Sequence, residues 1–285
     1  MTVLRHPVRG PIDLAFQNGF FNGWPNVPDE PEAIVQAFPV EETWEPAALV
    51  LRQEGSELVG DVAAGDPARA FAQGLAAVSA DIDGAGWPAL GERDPLVGGL
   101  QREYRWMRPS LFHSPYEAAA AFVIGHRISI VQTRRIRQRI AEEHGERIEI
   151  AGTAVCAFPG PERLLGIDVI PGVAPVTVER LHGVARAALD GLLDRAALRT
   201  LPEEEALARL RAIAGVGPFF AQGILYRGAG IVDGITTDAM SLEVVRDAFD
   251  RPGIPDPATA IALSAAWSPY RMWVMTLLHV RSRAR

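Results

Sequence analysis

The feature that most constrains the fold is a change of sequence pattern near residue 110. Before it, short apolar runs alternate with turn residues, and the runs at 48–51 and 58–62 predict two strands joined by a tight turn. After it, the chain reads as a series of helix starts and stops. The pattern predicts a mainly α protein, with an α+β domain containing an antiparallel sheet over 1–110 and a helical domain over 111–285.

Helix boundaries in the second part are marked by capping residues. Ser114, Pro115 and Glu117 predict a helix start with a capping box, in which Ser114 is the N-cap and Glu117 bonds back to it. That helix is expected to run towards Gly125. The further predicted helices cover residues 128–144, 161–165, 176–193, 202–213, 221–226, 239–249, 257–266 and 270–279.

Composition narrows the class of protein. The chain has 285 residues, 48% of them hydrophobic, without an apolar run of the roughly 18 residues that a membrane span requires. Its start lacks the apolar region of a signal peptide, and Cys156 has no second cysteine to pair with. The histidines show no metal-ligand spacing with cysteine or acidic residues. We expect a cytoplasmic protein, monomeric, with no membrane partner, no cofactor and no catalytic metal.

Charge is distributed unevenly along the chain. The net charge is −7, with −8 carried by residues 1–110 and +1 by residues 111–285, and every one of the 28 basic residues is arginine. If nucleic acid is the partner, the second part is expected to bind it. A run of arginines on one predicted helix either follows phosphates or forms a solvated face; its members are Arg134, Arg135, Arg137 and Arg139.

The sharpest local motif is a glycine-rich turn between two predicted helices. Gly215, Val216 and Gly217 turn the chain, and Pro218 starts the next helix. Glycines let a phosphate approach the backbone N–H groups at a helix start, so this hairpin can hold a DNA backbone without reading its sequence. An ordinary helix–helix turn is the alternative interpretation of the same residues.

An aspartate stands at a fixed distance beyond the hairpin. Asp238 follows Gly217 by 21 residues, after a helix and a glycine-containing loop, and it immediately precedes another apolar helical run. Taken locally, Asp238 is a helix N-cap, because aspartate favours that position. The combination of hairpin, helix, loop and aspartate resembles the helix-hairpin-helix DNA glycosylase superfamily, in which the aspartate is catalytic.

Other stretches resemble the bacterial inducible 3-methyladenine-DNA glycosylase (AlkA) family most closely. Residues 13–20 resemble its N-terminal segment, 116–129 its first core helix and wedge loop, and 267–273 its closing Trp-x-Pro-x-Arg helix. The resemblance covers 110–285 well and 1–110 faintly. It implies a two-part helical core with an antiparallel-sheet domain, and an active-site cleft between the two helical parts.

The resemblance also implies roles for individual side chains. A wedge residue fills the space that a flipped base leaves, and the candidates here are His126, Arg127 and Ile128. The backbone carbonyls of Ile213 and Val216 are candidates for a monovalent cation.

The base pocket has its own candidates, which fit a hydrophobic core equally well. They are Phe20, Phe219, Met240 and Trp273.

The implied activity is monofunctional hydrolysis of the N-glycosidic bond of damaged, alkylated bases in double-stranded DNA. Strand-cutting members of the superfamily carry a lysine just after the hairpin glycines; that position is Phe219 here, and the chain has no lysine. A lysine-based lyase is therefore excluded. Two alternatives stay open: a homologue that binds lesions without excising them, and a protein-interaction domain without a DNA role.

Overall fold

The computed structural model describes residues 2–20 and 32–284. Its strands form a four-stranded antiparallel sheet, ordered β1-β4-β3-β2, and a separate two-stranded hairpin, β5-β6. The strands are β1 (Thr2–Pro7), β2 (Ala33–Pro39), β3 (Pro46–Glu54), β4 (Glu57–Ala64), β5 (Glu146–Ile150) and β6 (Thr153–Ala157).

Helices make up about half of the chain, and the fold is the mainly α arrangement with an antiparallel sheet that the sequence predicts. The helices are α1 (Leu14–Phe20), α2 (Pro67–Ala77), α3 (Trp87–Arg93), α4 (Pro95–Glu103), α5 (Pro115–Ile124), α6 (Ile130–His144), α7 (Pro161–Leu165), α8 (Pro175–Leu189), α9 (Arg195–Thr200), α10 (Glu203–Arg211), α11 (Pro218–Ile224), α12 (Ala239–Ala248), α13 (Pro257–Ser264) and α14 (Arg271–Ala284). A single π-helical turn, Leu225–Ala229, follows α11 directly.

The four-stranded sheet buries both of its faces, because successive side chains of a strand point to opposite sides. Leu49 and Leu51 of β3 face one side, where they share a core with Phe71 of α2. Val50 faces the other side and packs with Val155 of the β5-β6 hairpin. The hairpin therefore covers the sheet face that α2 leaves open.

The helices form two lobes with separate hydrophobic cores. The hairpin lobe contains α5, α8, α10 and α11, whose apolar side chains meet in one cluster within residues 116–229. The aspartate lobe is built from two distant stretches, residues 87–107 and 235–284, which share a second cluster around Trp87, Trp267 and Trp273. Helices α3 and α4 precede the domain division predicted at residue 110, yet they belong to the core of the C-terminal helices.

A buried arginine joins the sheet domain to the aspartate lobe. The guanidinium of Arg108 lies 4.9 Å from the ring centre of Trp273. Burial lowers the pKa of Arg108 to about 10. Its N–H groups donate, over 2.6 to 3.2 Å, to the carbonyl oxygens of Arg9, Pro11, Ser79 and Ile82.

Most predicted elements occur with small shifts in their ends, and one capping prediction is half wrong. Ser114 caps α5 by accepting from the Glu117 N–H. The Glu117 carboxylate does not accept from the Ser114 backbone N–H, as a capping box requires, because it pairs with buried Arg137 at 3.2 Å. The capping box forms instead at α6, between Ser129 and Gln132, so that helix begins at residue 130 rather than 128.

The described part of the chain shows neither a membrane-spanning helix nor a metal-binding cluster. Residues 2–20 and 32–284 include no helix both long and apolar enough to cross a membrane. The same residues contain no group of three or more His, Cys, Asp or Glu side chains placed to hold a metal ion.

Candidate active site

Asp238 is the N-cap of α12, and its carboxylate is held by three donors. Oδ1 accepts from the backbone N–H groups of Met240 at 3.1 Å and Ser241 at 3.2 Å. Oδ2 accepts from the Ser241 hydroxyl at 2.6 Å. The residue is partly exposed, and these bonds fix the orientation of its carboxylate.

Ser241 extends this arrangement into a network. Its hydroxyl lies 2.6 Å from the Thr236 Oγ1 and 3.2 Å from the His279 Nε2. Because that hydroxyl donates its one proton to Asp238, its oxygen accepts the other two hydrogen bonds, and Thr236 and His279 are the donors. Burial, the largest influence, lowers the pKa of His279, which keeps the imidazole neutral with its proton on Nε2.

Side-chain hydrogen bonds tie the hairpin lobe to the segment that carries Asp238. The amide of Gln222 in α11 donates from Nε2 to the Thr237 hydroxyl at 3.0 Å. Its Oε1 accepts from the Thr237 N–H at 3.1 Å. The helix that follows the glycine turn therefore fixes the residue directly before Asp238, which explains why the two motifs occur together.

The glycine turn has the geometry expected of a tight helix–helix connection. Gly215 has φ +86°, in the left-handed region, and an added Cβ would lie 2.8 Å from the Arg180 side chain. Gly217 caps α11, and an added Cβ there would meet no protein atom within 4 Å. The open side of Gly217 leaves room for a ligand to approach the backbone.

The carbonyls predicted to bind a monovalent cation lie in this turn. The Ile213 oxygen accepts from the Val216 N–H at 3.0 Å, which leaves its second lone pair for a cation. Both residues are buried at the base of the turn, and oxygen donors of this kind suit such an ion. Cation binding at Ile213 and Val216 stays a prediction.

The loop between α5 and α6 presents the three wedge candidates to solvent. His126, Arg127 and Ile128 are all exposed. Arg127 has φ +61°, an uncommon conformation for a residue with a side chain. Ile130, two residues after Ile128, is 58% exposed and enlarges the apolar surface beside it. The structure places all three candidates where they can contact a ligand and leaves the choice among them open.

A cavity of about 270 Å³ opens between the two lobes. The hairpin lobe contributes Phe112 and Phe122, and the aspartate lobe contributes Arg283 from α14. Arg283 is one helical turn beyond His279, so the two side chains share a face of α14. Asp238, Ser241 and His279 are not among the residues that line it.

Arginines dominate the polar lining of this cavity, and they are Arg134, Arg137, Arg227 and Arg283. Among the residues that the structure describes, only Arg137 of these four forms an ion pair with a carboxylate, that of Glu117. Arg134, Arg227 and Arg283 are all exposed, whereas Arg137 is buried. The cavity wall thus carries an uncompensated positive charge.

The pocket candidates named from the sequence fall into three groups. Phe219 and Met240 are 50% and 47% exposed, and Phe219 packs edge-on against Phe122 of the cavity wall. Trp273 is 1% exposed inside the aspartate lobe, where the guanidinium of Arg108 lies over its ring, and its pocket role stays a prediction. The side chain of Phe20 lies outside the described residues.

Several residues of the site were missed by sequence reasoning. Ser241 stands three residues after Asp238, where an N-cap side chain and its N3 residue normally meet, so this contact had a local signal. His279 is far from Asp238 in sequence and offers no such signal. Arg134 and Arg137 belong to the arginine run that either follows phosphates or forms a solvated face; both line the cavity, and Arg134 is exposed whereas Arg137 is buried against Glu117.

Comparisons with known proteins agree with this geometry. No protein-family model matches the chain. The DNA-3-methyladenine glycosylase of Bacillus subtilis is 26% identical over 142 residues, which cover 48% of this chain and 47% of that protein. The matched region thus spans about half the length of this curated relative.

Solved structures match over much more of the chain. The 3-methyladenine DNA glycosylase from Archaeoglobus fulgidus has a TM-score of 0.81 at 18% identity, with 98% of each chain covered. The 8-oxoguanine glycosylase/lyase of Clostridium acetobutylicum, solved with double-stranded DNA, has a TM-score of 0.65 at 16% identity, covering 86% of this chain and 87% of that one. The chain therefore has the helix-hairpin-helix DNA glycosylase fold, the class that the hairpin and Asp238 predict.

Proposed function

We propose that this protein is a monofunctional DNA glycosylase that hydrolyses the N-glycosidic bond of damaged bases flipped out of double-stranded DNA. The observation that carries the proposal is the placement of Asp238. Its carboxylate is oriented by three donors, the residue is partly exposed, and the residue before it is bonded to Gln222 of the hairpin helix. A plain helix cap needs neither the Ser241 hydroxyl bond nor the link to the hairpin helix.

The chemistry needs one well-placed carboxylate. As the bond between the sugar C1′ and the base breaks, positive charge develops on the sugar ring. The Asp238 carboxylate stabilises that charge and orients the water that attacks C1′. The N–H groups at the start of α12 and the Ser241 hydroxyl hold the carboxylate in place, so little reorganisation is needed during the reaction.

The proposal includes the absence of lyase chemistry. Phe219 occupies the position after the hairpin glycines, and the chain has no lysine side chain to form a Schiff base. The neighbour from Clostridium acetobutylicum is named a glycosylase/lyase, so a shared fold does not decide this point. Reaction products should be abasic, uncut strands, and borohydride should trap no adduct on an internal side chain.

Asp238→Asn tests the assignment, with Asp256→Asn as the matched control. Asp256 caps α13 in the same lobe by accepting from the Thr259 N–H at 3.0 Å, and none of the described hydrogen bonds joins it to Ser241, Thr237 or His279. Asparagine is as good an N-cap as aspartate, so both variants should fold. We expect Asp238→Asn to lose about 10²-fold or more in base release while binding DNA almost normally.

Methylated purines are the first substrates to test, since the relatives from Bacillus subtilis and Archaeoglobus fulgidus are named for 3-methyladenine. Mass spectrometry of bases released from alkylated and deaminated DNA gives the readout. Near-normal release by Asp238→Asn would refute the catalytic role. Tight lesion binding by the wild type without release of any base would favour the alternative, a lesion-binding homologue.

A further inference from the structure

We propose that the cavity between the lobes binds a phosphate group of the DNA backbone, in addition to the phosphate contact predicted at the glycine turn. The inference rests on the proposed glycosylase function and assigns a further binding site for the same partner. It follows from the charge of the cavity, from its exposed rim and from its position beside two elements that are expected to contact DNA.

The charged side chains that line the cavity are all cations. They are four arginines, and no aspartate or glutamate is among the lining residues. Buried Arg137 pairs with Glu117 at 3.2 Å. Within residues 2–20 and 32–284, no carboxylate forms an ion pair with Arg134, Arg227 or Arg283. Guanidinium N–H groups are donors only, and their geometry matches phosphate oxygens, so this lining suits a phosphate group.

The inner part of the cavity holds its cations close together. The guanidinium of Arg137 lies 5.0 Å from the ring centre of Phe112, and that of Arg227 lies 5.5 Å from the same centre. Burial is the largest cause that lowers the pKa of Arg137 to about 9, against the opposing charge of Glu117. The charges of Arg134 and Arg227 also lower it, because like charges repel. An anion bound between these side chains relieves that repulsion.

The rim of the cavity, formed by Arg134, Arg227 and Arg283, is open to solvent. All three side chains are exposed, so a ligand can reach their guanidiniums from the surface of the protein. Exposed cations of this kind bind DNA phosphates and release the counterions that surround the duplex. The lining includes neither Asp238 nor Ser241, so the site is separate from the proposed catalytic carboxylate.

The cavity adjoins both the wedge loop and the glycine turn. Ile130, two residues after the wedge candidate Ile128, belongs to its lining. Phe122 of the lining contacts Phe219 edge-on, with 6.1 Å between the ring centres. Phe219 is the second residue of α11, the helix that Gly217 caps. A strand that is held at the turn and opened by the wedge loop therefore passes beside the arginine rim.

The proposal divides the arginine run of α6 among different roles. Arg134 lines the cavity and contacts the phosphate, whereas Arg137 is buried against Glu117. Arg135 is exposed and does not line the cavity, so it belongs to the solvated face of the helix.

A scan of single methylphosphonate linkages tests the proposal. Each duplex carries one uncleavable abasic-site analogue and one uncharged methylphosphonate, which is moved linkage by linkage through the region around the lesion. Binding is measured for the wild type and for the double variant Arg134→Gln/Arg283→Gln, whose side chains are exposed and leave the Arg137–Glu117 pair intact.

One linkage should be sensitive in the wild type and insensitive in the double variant. Its neutralisation should weaken binding by the wild type roughly three- to tenfold, as expected when an exposed phosphate loses its contacts with two arginines. The same change should cost the double variant nothing further, because the partners of that phosphate are already gone. The slope of log Kobs against log salt concentration should fall by about one in the double variant, the value for one phosphate contact.

Arg135→Gln is the matched control, because it removes an exposed charge from the same helix outside the cavity. It should retain the full effect of the sensitive linkage. Loss of that effect in Arg135→Gln as well would show that charge anywhere on α6 is sufficient, and it would overturn the site. An identical linkage profile in the wild type and the double variant would also overturn it, while leaving the glycosylase function standing.

Two further measurements separate other ligands from the DNA backbone. Inorganic phosphate is titrated in the absence of DNA; binding that requires Arg134 and Arg283, without any sensitive linkage, would assign the cavity to a free phosphate and overturn the proposal. Slower base release by the double variant with unchanged DNA binding would place these arginines at the reacting base and would overturn it too. Failure of the wild type to bind any of the duplexes would instead refute the proposed function.

Discussion

Replacing Ser241 by alanine removes the hydroxyl at the centre of the Asp238 network and leaves the rest of α12 intact. The carboxylate keeps its two backbone donors but loses the 2.6 Å bond to Oδ2. A hydrogen bond to a charged acceptor contributes about 1.5–3 kcal/mol. If that bond serves to hold Asp238 in its reactive orientation, the same energy appears in the barrier, and excision slows by about 10- to 150-fold.

The change also affects stability, so a matched variant is needed to separate the two effects. The Thr236 hydroxyl and the His279 Nε2–H lose their acceptor, and we expect a loss of about 1–3 kcal/mol in the free energy of unfolding. Ser264 is buried in the same lobe and donates to the Ile261 carbonyl at 2.9 Å. Ser264→Ala should cost similar stability without slowing excision.

The assays are urea unfolding for stability and single-turnover excision with enzyme in excess for the chemical step. Binding to abasic DNA serves as a third readout and should be unchanged in both variants. An excision rate for Ser241→Ala within twofold of wild type would refute the positioning role of the hydroxyl. Equal slowing by Ser264→Ala would show that the rate follows general stability of the lobe rather than the bond to Asp238.

Three further predictions concern the junction, the wedge loop and pH. Arg108→Met should lower the free energy of unfolding by about 3–5 kcal/mol in urea titrations, because four buried carbonyls lose a charged donor; a loss below 1 kcal/mol would contradict this. Arg127→Ala and Arg127→Gly should slow excision from duplex by roughly tenfold but spare single-stranded substrate, since about a few kcal/mol of stacking must be replaced only in duplex; equal loss on both substrates would indicate a phosphate contact. Because the pKa of His279 is lowered below 6.5 on folding, its contribution to stability should be complete above pH 6.5 and decrease as the pH falls below that value; His279→Gln should remove this component from unfolding curves measured between pH 5 and 7.5.

Local signals in the sequence sufficed where the structure depends on local contacts. The caps at Ser114 and Asp238 involve partners two or three residues away, and the strands at 48–51 and 58–62 are joined by a tight turn. In each case residue type and short spacing determine the hydrogen bonds. The turn at Gly215 was equally predictable from the sequence, because a left-handed φ restricts that position largely to glycine.

Contacts between distant segments explain what the sequence did not reveal. Glu117 has the residue type and spacing of a capping box, but its carboxylate is drawn to Arg137, twenty residues along the chain. The same pairing removes Arg137 from the surface, so neither interpretation of the arginine run describes it. His279 reaches Ser241 only because α14 packs against α12, and nothing in the local sequence indicates that packing.

One missed element did have a local signal. The strands β5 and β6 are joined by Ala151 and Gly152, with φ values of +50° and +75°. Two residues with positive φ form the tight turn that suits a hairpin, and Gly152 marks it. The sequence pattern predicts helices on both sides of this segment and no strand within it.

The construction of the aspartate lobe from residues 87–107 and 235–284 has a mechanical consequence. The hairpin lobe lies between these stretches in sequence, so both of its ends are anchored in the other lobe. Two chain segments therefore connect the lobes, and the cleft can widen only if both segments bend together. A motion of that kind preserves the alignment of the two lobes, which is what a site needs if it must admit an extruded nucleotide and then close on it in a single orientation.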